Sequence, residues 1–343
     1  MGHQTDPELV DLLSAVFSSH RARMSEVDSG TDRAATDLEL WDQLGELGLA
    51  RLTGSESSGG SGADWFSAAE LLRAAAHHAV LTPVVEHDLL AGWLLSEAGL
   101  AVDDTRRSAC VLDASGTARE VGWAAGAERL VVAWPSDGAW KVADVDPDDV
   151  TIDPGVNVAG EPRDTITARL DDLAGVEVDA TTIERFRLRG ALARSVQTCA
   201  ALEQILALTV THAGQREQFG RPLARFQAVT SMIADMAAET SLAQAATEAA
   251  LVAAVRSPWH DQKLEFLVAV ARSCCGRATS VVVRNAHQVH GAISTTREHR
   301  LHEFTLPALA WRSEFGSVHD WERVVTDAAL AAGADGLWPL IVD

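Results

Sequence analysis

The chain has 343 residues and carries 28 Lys and Arg against 49 Asp and Glu, which gives a formal net charge of −21 at pH 7. Its two lysines are Lys141 and Lys263, so the sequence offers no basic stripe for a phosphate backbone, and we expect no nucleic-acid partner. A hydrophobic content of 47% over this length predicts a globular protein with two or three subdomains.

The first residues and the cysteines both favour a cytoplasmic protein. The chain begins without the basic and apolar regions of a signal peptide, and Asp6 stands where a myristoylation signal has Ser or Thr. Charged residues or glycines interrupt every apolar run before the ~20 residues that cross a bilayer, which predicts no membrane segment. The adjacent Cys274 and Cys275 lie in an apolar helical pattern, as expected for buried thiols in a reducing compartment.

Residues 1–105 are predicted to form an N-terminal helical domain. Amphipathic patterns indicate four helices, near residues 7–27, 37–48, 63–78 and 84–98. Within a glycine- and serine-rich loop at residues 54–62, Gly59-Gly60-Ser61-Gly62 resembles half of a dinucleotide-binding fingerprint. No apolar strand precedes it and no acidic residue follows at the required distance, so we predict a flexible connector.

Residues 106–180 are predicted to form a small β domain. The runs at residues 130–134 and 140–143 are typical of short strands, and Gly, Pro and Asp separate them. The order of the chain is therefore a helical domain followed by a small sheet.

The remaining residues, 181–343, are predicted to form a helical bundle. The first long helix has an apolar face with spacings of three and four, formed by Leu188, Leu192, Val196, Cys199, Leu202, Leu206 and Val210. A second helix begins at Phe226, a third runs through Leu264 to Ala278, and a shorter fourth lies near 317–332. Long helices with brief connections favour antiparallel packing. The predicted fold class is mainly α with a small β domain.

Histidines near the end of the third helix raise the question of a metal site. His287 and His290 lie three residues apart on one helix face, and His299 and His302 follow. A dinuclear carboxylate site in a helical bundle uses Glu-x-x-His pairs on two helices, and the sequence contains none. We expect these histidines to bond backbone, solvent or a cofactor, and we predict no metal.

A second polar concentration interrupts the bundle at residues 214–222. Gly220 and Pro222 stop the helix, and Arg216 presents a planar fork of donors suited to phosphate or pyrophosphate. Taken alone, the segment is more typical of a solvated turn between two helices.

Residues 216–227, Arg-Glu-Gln-Phe-Gly-Arg-Pro-Leu-Ala-Arg-Phe-Gln, resemble the motif between two C-terminal helices of acyl-CoA dehydrogenases. Residues 288–292, Gln-Val-His-Gly-Ala, resemble the Gln-x-x-Gly-Gly segment that follows in this family at a similar distance. Two motifs in the right order are more specific than either one. The resemblance implies an N-terminal helical domain, a reduced middle β-sheet domain and a C-terminal four-helix bundle.

The resemblance also implies an FAD cofactor. In the family, the turn and the Gln-x-x-Gly segment bind the adenosine diphosphate half of an FAD that is held mainly by a neighbouring subunit. The matching positions here are Arg216, Gln218, Gln227, Gln288 and Gly291, with Phe219 near the adenine. Their chemistry fits, because a guanidinium suits pyrophosphate, amides suit ribose or adenine edges, and glycine permits close backbone approach.

The resemblance leaves the catalytic base unassigned. The family base is a Glu, usually before a Gly-Thr pair, that removes the α-hydrogen of an acyl thioester. Here Glu314 lies one residue out of register, Ser317 replaces the Thr, and Asp320 is the other candidate. The family's alternative base position falls near Gly190, which has no side chain to accept a proton. The strand motifs that hold the flavin ring are missing from residues 96–123.

Three hypotheses follow from this selective loss of motifs. In the first, the chain is one subunit of an α2β2 acyl-CoA dehydrogenase whose partner supplies the catalytic Glu and the floor of the flavin site. In the second, it is a self-sufficient homo-oligomeric dehydrogenase that uses Glu314 or Asp320. In the third, it is a flavin-free structural or regulatory helical protein. The first two imply an acyl-CoA substrate, of a fatty acid or a sterol side chain, and an electron-transfer flavoprotein as partner.

Overall fold

The computed structural model describes residues 6–26 and 34–342. Residues 1–5, on which the expectation of no targeting signal rests in part, and Val27, the predicted end of the first helix, lie outside the described residues. The chain divides into two compact units. The N-terminal unit comprises Met1–Leu71 and Val80–Gly190, and the C-terminal unit comprises Leu72–Ala79 and Ala191–Asp343.

Among the described residues, four helical segments longer than one turn precede the strands, as the amphipathic patterns predicted. They are α1 (Pro7–Glu26), α2 (Leu38–Glu46), α3 (Trp65–His77) and a π-helix (Val85–Gly92) that continues into α4 (Trp93–Glu97). Helix α2 begins where the Asp37 carboxylate accepts a hydrogen bond from the Leu40 amide, and it buries Leu40, Trp41 and Leu44. The π-helix was not predicted from the sequence. Such segments occur frequently at functional sites.

The glycine-rich loop at residues 54–62, predicted to be a flexible connector, is a compact turn closed by its own backbone hydrogen bonds. The amides of Gly60 and Gly62 donate to the carbonyls of Ser55 (2.9 Å) and Gly54 (2.8 Å). A Cβ added at Gly60 would lie 2.2 Å from the Gly54 oxygen, so the loop needs glycine there. The buried guanidinium of Arg51 also donates to the Ser58 carbonyl.

Seven strands form two sheets around one apolar core in the middle of the chain. The strands are β1 (Arg107–Val111), β2 (Thr117–Gly122), β3 (Arg129–Ser136), β4 (Ala139–Val145), β5 (Thr151–Asp153), β6 (Arg163–Thr167) and β7 (Val176–Val178). One sheet has the order β1-β3-β4-β7 and the other β2-β6-β5. Leu130, Trp134 and Ile166 share the core between them. The two predicted runs are strands β3 and β4, which pair in antiparallel register with Trp134 opposite Lys141.

The C-terminal half of the chain is helical, which confirms the predicted fold class. Its helices are α5 (Ala180–Gln215), α6 (Gln227–Arg256), α7 (Gln262–His290), α8 (His302–Trp311) and α9 (Val318–Val342). Helix α6 packs along α7, and α7 packs along α9. Helix α5 joins them through Cys199, whose Sγ lies 3.4 Å from Thr247 Oγ1 in α6 and 3.7 Å from Cys275 Sγ in α7.

Two details of the helical prediction are corrected. The buried face of α5 shifts after Leu202 to Ile205, Thr209 and Ala213, so Val210 is 50% exposed. Burial of Thr209 is possible because its hydroxyl donates to the Ile205 carbonyl at 2.7 Å. The fourth helix ends near residue 332 as predicted, at a kink where Gly333 has φ 64°, but a second helical segment that was not predicted follows it.

Within residues 6–26 and 34–342, two segments are long and apolar enough, by length and composition alone, to cross a membrane: Gln262–Thr295 and Val318–Val342. The sequence analysis overlooked both because it required uninterrupted apolar runs. In the first segment, 56% of the most apolar stretch is buried inside the protein, as in a core helix, whereas none of that stretch is buried in the second. Two such helices are weak evidence for a membrane.

Candidate functional site

The turn between α5 and α6 is a tight β-hairpin rather than an irregular loop. Strand β8 (Glu217–Gln218) pairs with β9 (Arg221–Pro222), so Phe219 and Gly220 form the two-residue connection. Their φ angles are 52° and 76°, and a type I′ turn requires positive values at both positions. The Arg216 amide donates to the His212 carbonyl, and the Arg216 carbonyl accepts from the Leu223 amide, both at 2.8 Å. The backbone of the turn is therefore fixed while its side chains project outward.

Phe219 is held in a costly conformation on the surface. It is 91% exposed, and a non-glycine residue with positive φ is strained by roughly 1–2 kcal/mol. Among the described aromatic residues, only Phe226 contacts its ring, in an edge arrangement with centroids 6.2 Å apart. A largely exposed aromatic side chain on a strained backbone is typical of a binding surface.

The turn is locally basic in a strongly acidic chain. Residues 211–234 contain three arginines, Arg216, Arg221 and Arg225, and one acidic residue, Glu217. All four are exposed, and the Arg221 guanidinium lies over the Phe226 ring at 4.1 Å. A concentration of exposed guanidinium groups favours an anionic ligand such as a pyrophosphate.

The second motif lies at the end of α7. Gln288 is exposed, and Gly291 follows the last helical residue with φ 65° and ψ −145°, a conformation reserved for glycine. A Cβ added at Gly291 would meet no atom within 4 Å, so space is open beside this backbone. The same is true of Gly220 in the turn.

The structure brings the two motifs to the same end of the helical bundle. The ring of His212, in the last turn of α5, stacks on the ring of His290 in α7 with centroids 4.3 Å apart. The start of α6 is nearby as well, because the Asn285 amide in α7 donates to the Met232 carbonyl in α6 at 3.3 Å. Gln227, the first residue of α6, and Gln218 in the turn are both exposed at this end. The set combines a guanidinium, three carboxamides and two open glycine positions.

The two candidate bases have structural roles. The Glu314 carboxylate accepts a hydrogen bond from the Arg194 guanidinium at 2.6 Å, and these side chains are 12% and 2% exposed. A carboxylate paired with a buried cation is stabilised in its charged form and is a poor proton acceptor. Asp320 accepts hydrogen bonds from the amide and hydroxyl of Ser317 at 3.1 and 2.7 Å, so it fixes the start of α9.

The N-terminal unit contains a separate cavity of about 370 Å³. Its walls come from the glycine-rich loop, the π-helix and the first part of α5, and they include Arg51, Asp88, Trp93 and Arg189. Arg189 stacks over the rings of Trp65 and Trp93 at 5.1 and 4.6 Å and donates to the Leu89 carbonyl at 2.9 Å. The cavity is of a size that fits a small molecule.

Asp88 is the titratable group of this cavity. Burial raises its pKa to about 6, although the Thr53 amide and hydroxyl donate to its carboxylate at 2.9 and 3.0 Å. Burial, together with the nearby Arg107 guanidinium, lowers the pKa of neighbouring His87 to about 3, and this neutral ring accepts from the Arg107 amide at 3.1 Å. A cavity-lining carboxyl that titrates near neutral pH is a candidate for proton transfer.

Sequence analysis missed both Asp88 and His212. The signal for Asp88 was the polar triplet Glu86-His87-Asp88 inside an otherwise apolar helix. His212 gave no comparable signal, because it pairs with residues 78 and 87 positions further along the chain.

Comparison with known families agrees with the motif analysis. Residues 175–318 match the profile of the acyl-CoA dehydrogenase C-terminal domain. Acyl-CoA dehydrogenase FadE27 of Mycobacterium tuberculosis is 26% identical over 347 residues, covering 88% of this chain and 89% of the relative. Acyl-CoA dehydrogenase FadE34 of the same organism is 30% identical over 301 residues, which cover 82% of this chain but 41% of the relative.

A solved structure shows the same architecture. A chain in the ChsE4-ChsE5 complex of Mycobacterium tuberculosis aligns with a TM-score of 0.81 over 96% of this chain and 99% of that chain, at 21% sequence identity. At this identity the likeness shows a shared fold. The comparison extends the similarity from the matched C-terminal domain to the N-terminal helices and the strands.

Proposed function

Because this chain belongs to the acyl-CoA dehydrogenase family, we propose that it is one subunit of an FAD-dependent enzyme that dehydrogenates an acyl-CoA thioester between its α and β carbons. One observation carries the proposal. The exposed donors of Arg216, Gln218 and Gln288 lie at one end of the bundle, whereas the Glu314 carboxylate is held by Arg194. The C-terminal unit thus offers one half of a cofactor site, and its two candidate bases, Glu314 and Asp320, are both engaged in hydrogen bonds with other residues.

In this proposal the C-terminal unit holds the adenosine side of the FAD. Arg216 binds the pyrophosphate, Gln218, Gln227 and Gln288 bind ribose or adenine edges, and Phe219 packs near the adenine. Positive φ at Gly291 supports close backbone approach, since no side chain stands there. FAD supplies the electron acceptor for the hydride that leaves the β-carbon. The partner subunit holds the ring of the cofactor and supplies the catalytic Glu.

The surface of the C-terminal unit supports an oligomer. Helix α9 carries large apolar side chains that are between 41% and 75% exposed: Leu330, Leu337, Trp338, Ile341 and Val342. Several large, exposed apolar side chains on one helix are typical of a protein interface. The likeness to a chain of the ChsE4-ChsE5 complex favours a different acyl-CoA dehydrogenase chain over a second copy as the neighbour.

The remaining parts of the proposal rest on the family and the cysteines. An electron-transfer flavoprotein is the proposed acceptor of the electrons, and the acyl group is that of a fatty acid or a sterol side chain. The four cysteines are free thiols in the structure, which supports a reducing, cytoplasmic location.

The flavin content of the purified protein tests the proposal. The full chain is purified alone, and also after co-expression with each acyl-CoA dehydrogenase that is encoded near the gene for this chain. Bound FAD is quantified from the absorbance at about 450 nm. We expect little flavin on the chain alone and FAD in an active complex with its partner.

Two results would contradict the shared site. A yellow, active protein from the chain alone would support a self-sufficient homo-oligomer. A chain that stays colourless with every partner would support the flavin-free structural or regulatory protein.

A further inference from the structure

We propose that His212, His290 and His299 form a binding site for one divalent transition-metal ion of the zinc type. The three side chains come from the end of α5, the end of α7 and the segment before α8, and all belong to the C-terminal unit. One ring nitrogen of each lies within 4.8 Å of the others. This inference does not depend on the proposed FAD site.

His290 is the buried residue of the three, and its ring is already oriented as in a metal ligand. Its Nδ1 lies 2.8 Å from the Ala286 carbonyl, a contact that requires the ring proton on Nδ1 and leaves a lone pair on Nε2. The residue is 6% exposed, and Nε2 has no hydrogen-bond partner among the residues that the structure describes. An unsatisfied polar atom in a protein interior is destabilising, so it calls for an explanation. A backbone carbonyl bound to Nδ1 is also the usual support of a metal-binding histidine.

The neighbouring rings are close enough to share one ion after side-chain rotation. With a metal–nitrogen bond of ~2.1 Å, two imidazoles on one tetrahedral ion have centroids ~5.3 Å apart, and ~6.4 Å is the limit for two rings on opposite sides of the ion. The observed separations are 4.3 Å for His212 and His290, 4.6 Å for His290 and His299, and 6.0 Å for His212 and His299. Tetrahedral binding needs nitrogens about 3.4 Å apart, so the ion would draw the rings together by side-chain rotation.

His299 is the ligand that has most to change. Its Nδ1 accepts a hydrogen bond from the Leu301 amide at 3.1 Å, which places the proton of the neutral ring on Nε2. Metal binding at Nε2 requires the other tautomer, and so the contact with Leu301 is given up. We therefore expect His290 and His212 to contribute more to affinity than His299.

The three imidazoles and their surroundings determine which metal ions would bind. Burial lowers the pKa of all three histidines, that of His290 to about 4, so the imidazoles are neutral at physiological pH as ligands must be. Three imidazoles without a carboxylate suit Zn²⁺, Co²⁺, Ni²⁺ or Cu²⁺ rather than Mg²⁺ or Ca²⁺. No metal was predicted from the sequence, because the chain lacks the Glu-x-x-His pairs of a dinuclear site and because His212 gave no signal beside His290 and His299. His287, which was also considered, lies apart from this cluster, with its Nδ1 2.9 Å from the Ser294 hydroxyl.

The test is calorimetric titration of the full, untagged chain with ZnCl₂ after removal of bound metal, with Co²⁺ absorption as a second readout. We expect one ion per chain, bound at least tenfold more weakly by His290→Ala and by His212→Gln. His287→Gln, one turn away on α7, is the matched control and should bind as the wild type does. If His290→Ala does not fold by circular dichroism, the half-buried His212→Gln decides the question.

Three results would overturn the site. The first is a wild type that binds zinc no more tightly than a variant lacking all three histidines. The second is unchanged affinity in both His290→Ala and His212→Gln. The third is an equal loss of affinity in His287→Gln, which would assign the ion to the helical pair instead.

Discussion

Asp88 in the N-terminal unit and Arg216 in the C-terminal unit are both charged side chains beside glycine-containing turns, but their surroundings differ. Asp88 is 4% exposed and accepts two hydrogen bonds from Thr53, within a cavity whose guanidinium groups have carboxylate, carbonyl or aromatic partners. Arg216 is exposed on a hairpin whose backbone is fixed and whose neighbours Gln218 and Phe219 also face outward.

In the N-terminal cavity, the polar groups find their partners within the chain. In the C-terminal turn, the exposed side chains are suited to a ligand that the chain itself does not provide. Buried polar groups in the N-terminal cavity are compensated by the chain itself. The C-terminal turn keeps a strained Phe219 and three exposed arginines, of which Arg221 lies over the Phe226 ring. This contrast supports the proposed cofactor site shared with a partner.

The largest expected effect is on stability, and it tests whether Glu314 stabilises the fold through Arg194. Glu314→Ala leaves the 2%-exposed Arg194 without its carboxylate and should lower the free energy of unfolding by about 3 kcal/mol or more. The control is Asp172→Ala, which breaks an exposed pair with Arg169 and should cost about 1 kcal/mol or less. Urea denaturation measures both.

Glu314→Gln sharpens the same point, because it removes the carboxylate that could accept a proton but keeps an oxygen for Arg194. The assembled enzyme should retain its turnover with this variant. Loss of turnover in a fully folded Glu314→Gln complex would identify Glu314 as the base and favour the self-sufficient enzyme.

A somewhat smaller effect concerns the titration of Asp88. Its pKa is raised from 3.8 unfolded to about 6 folded, so its contribution to stability is fully present below about pH 4 and is lost as pH rises through 6. The change amounts to about 3 kcal/mol at most. Unfolding midpoints between pH 4 and 7 should fall less for Asp88→Asn than for the wild type. Parallel pH profiles for the two proteins would show that Asp88 does not titrate in this range.

The smallest effect is on the hairpin. Phe219→Gly removes the strain of a positive φ and should raise the free energy of unfolding by about 0.5–1 kcal/mol. In the assembled enzyme the same change should weaken FAD binding, because the adenine loses its aromatic neighbour. Thermal denaturation and flavin titration measure the two effects, and a variant that is less stable or binds FAD normally would contradict the account.

Short-range signals in the sequence predicted much of this structure. Asp137-Gly138 between β3 and β4 adopts positive φ at both residues, as a two-residue hairpin requires. The cofactor motifs were visible for the same reason, since residues 216–227 and 288–292 are contiguous segments whose shape depends on their own glycines.

Long-range contacts were the part that the sequence did not reveal. His212 meets His290 and His299 only because α5 and α7 end side by side. The pairing of Glu314 with Arg194 spans 120 residues, and the compact glycine-rich loop depends on Arg51 as well as its own turns. Hydrophobic periodicity records which face of a helix is buried but not which polar group it meets there.

The most direct test of the central claim is the FAD content of the assembled enzyme after Arg216→Ala, with the exposed Arg256→Ala at the opposite end of α6 as the control. Loss of a charge-assisted bond to phosphate, about 1.5–3 kcal/mol, corresponds to flavin binding weakened by roughly ten- to more than a hundredfold. The complex should remain assembled and equally stable, with activity partly restored by excess FAD, and Gln288→Ala should show a milder loss. Full flavin content and activity in the Arg216→Ala complex would contradict the assignment of this turn as a cofactor site.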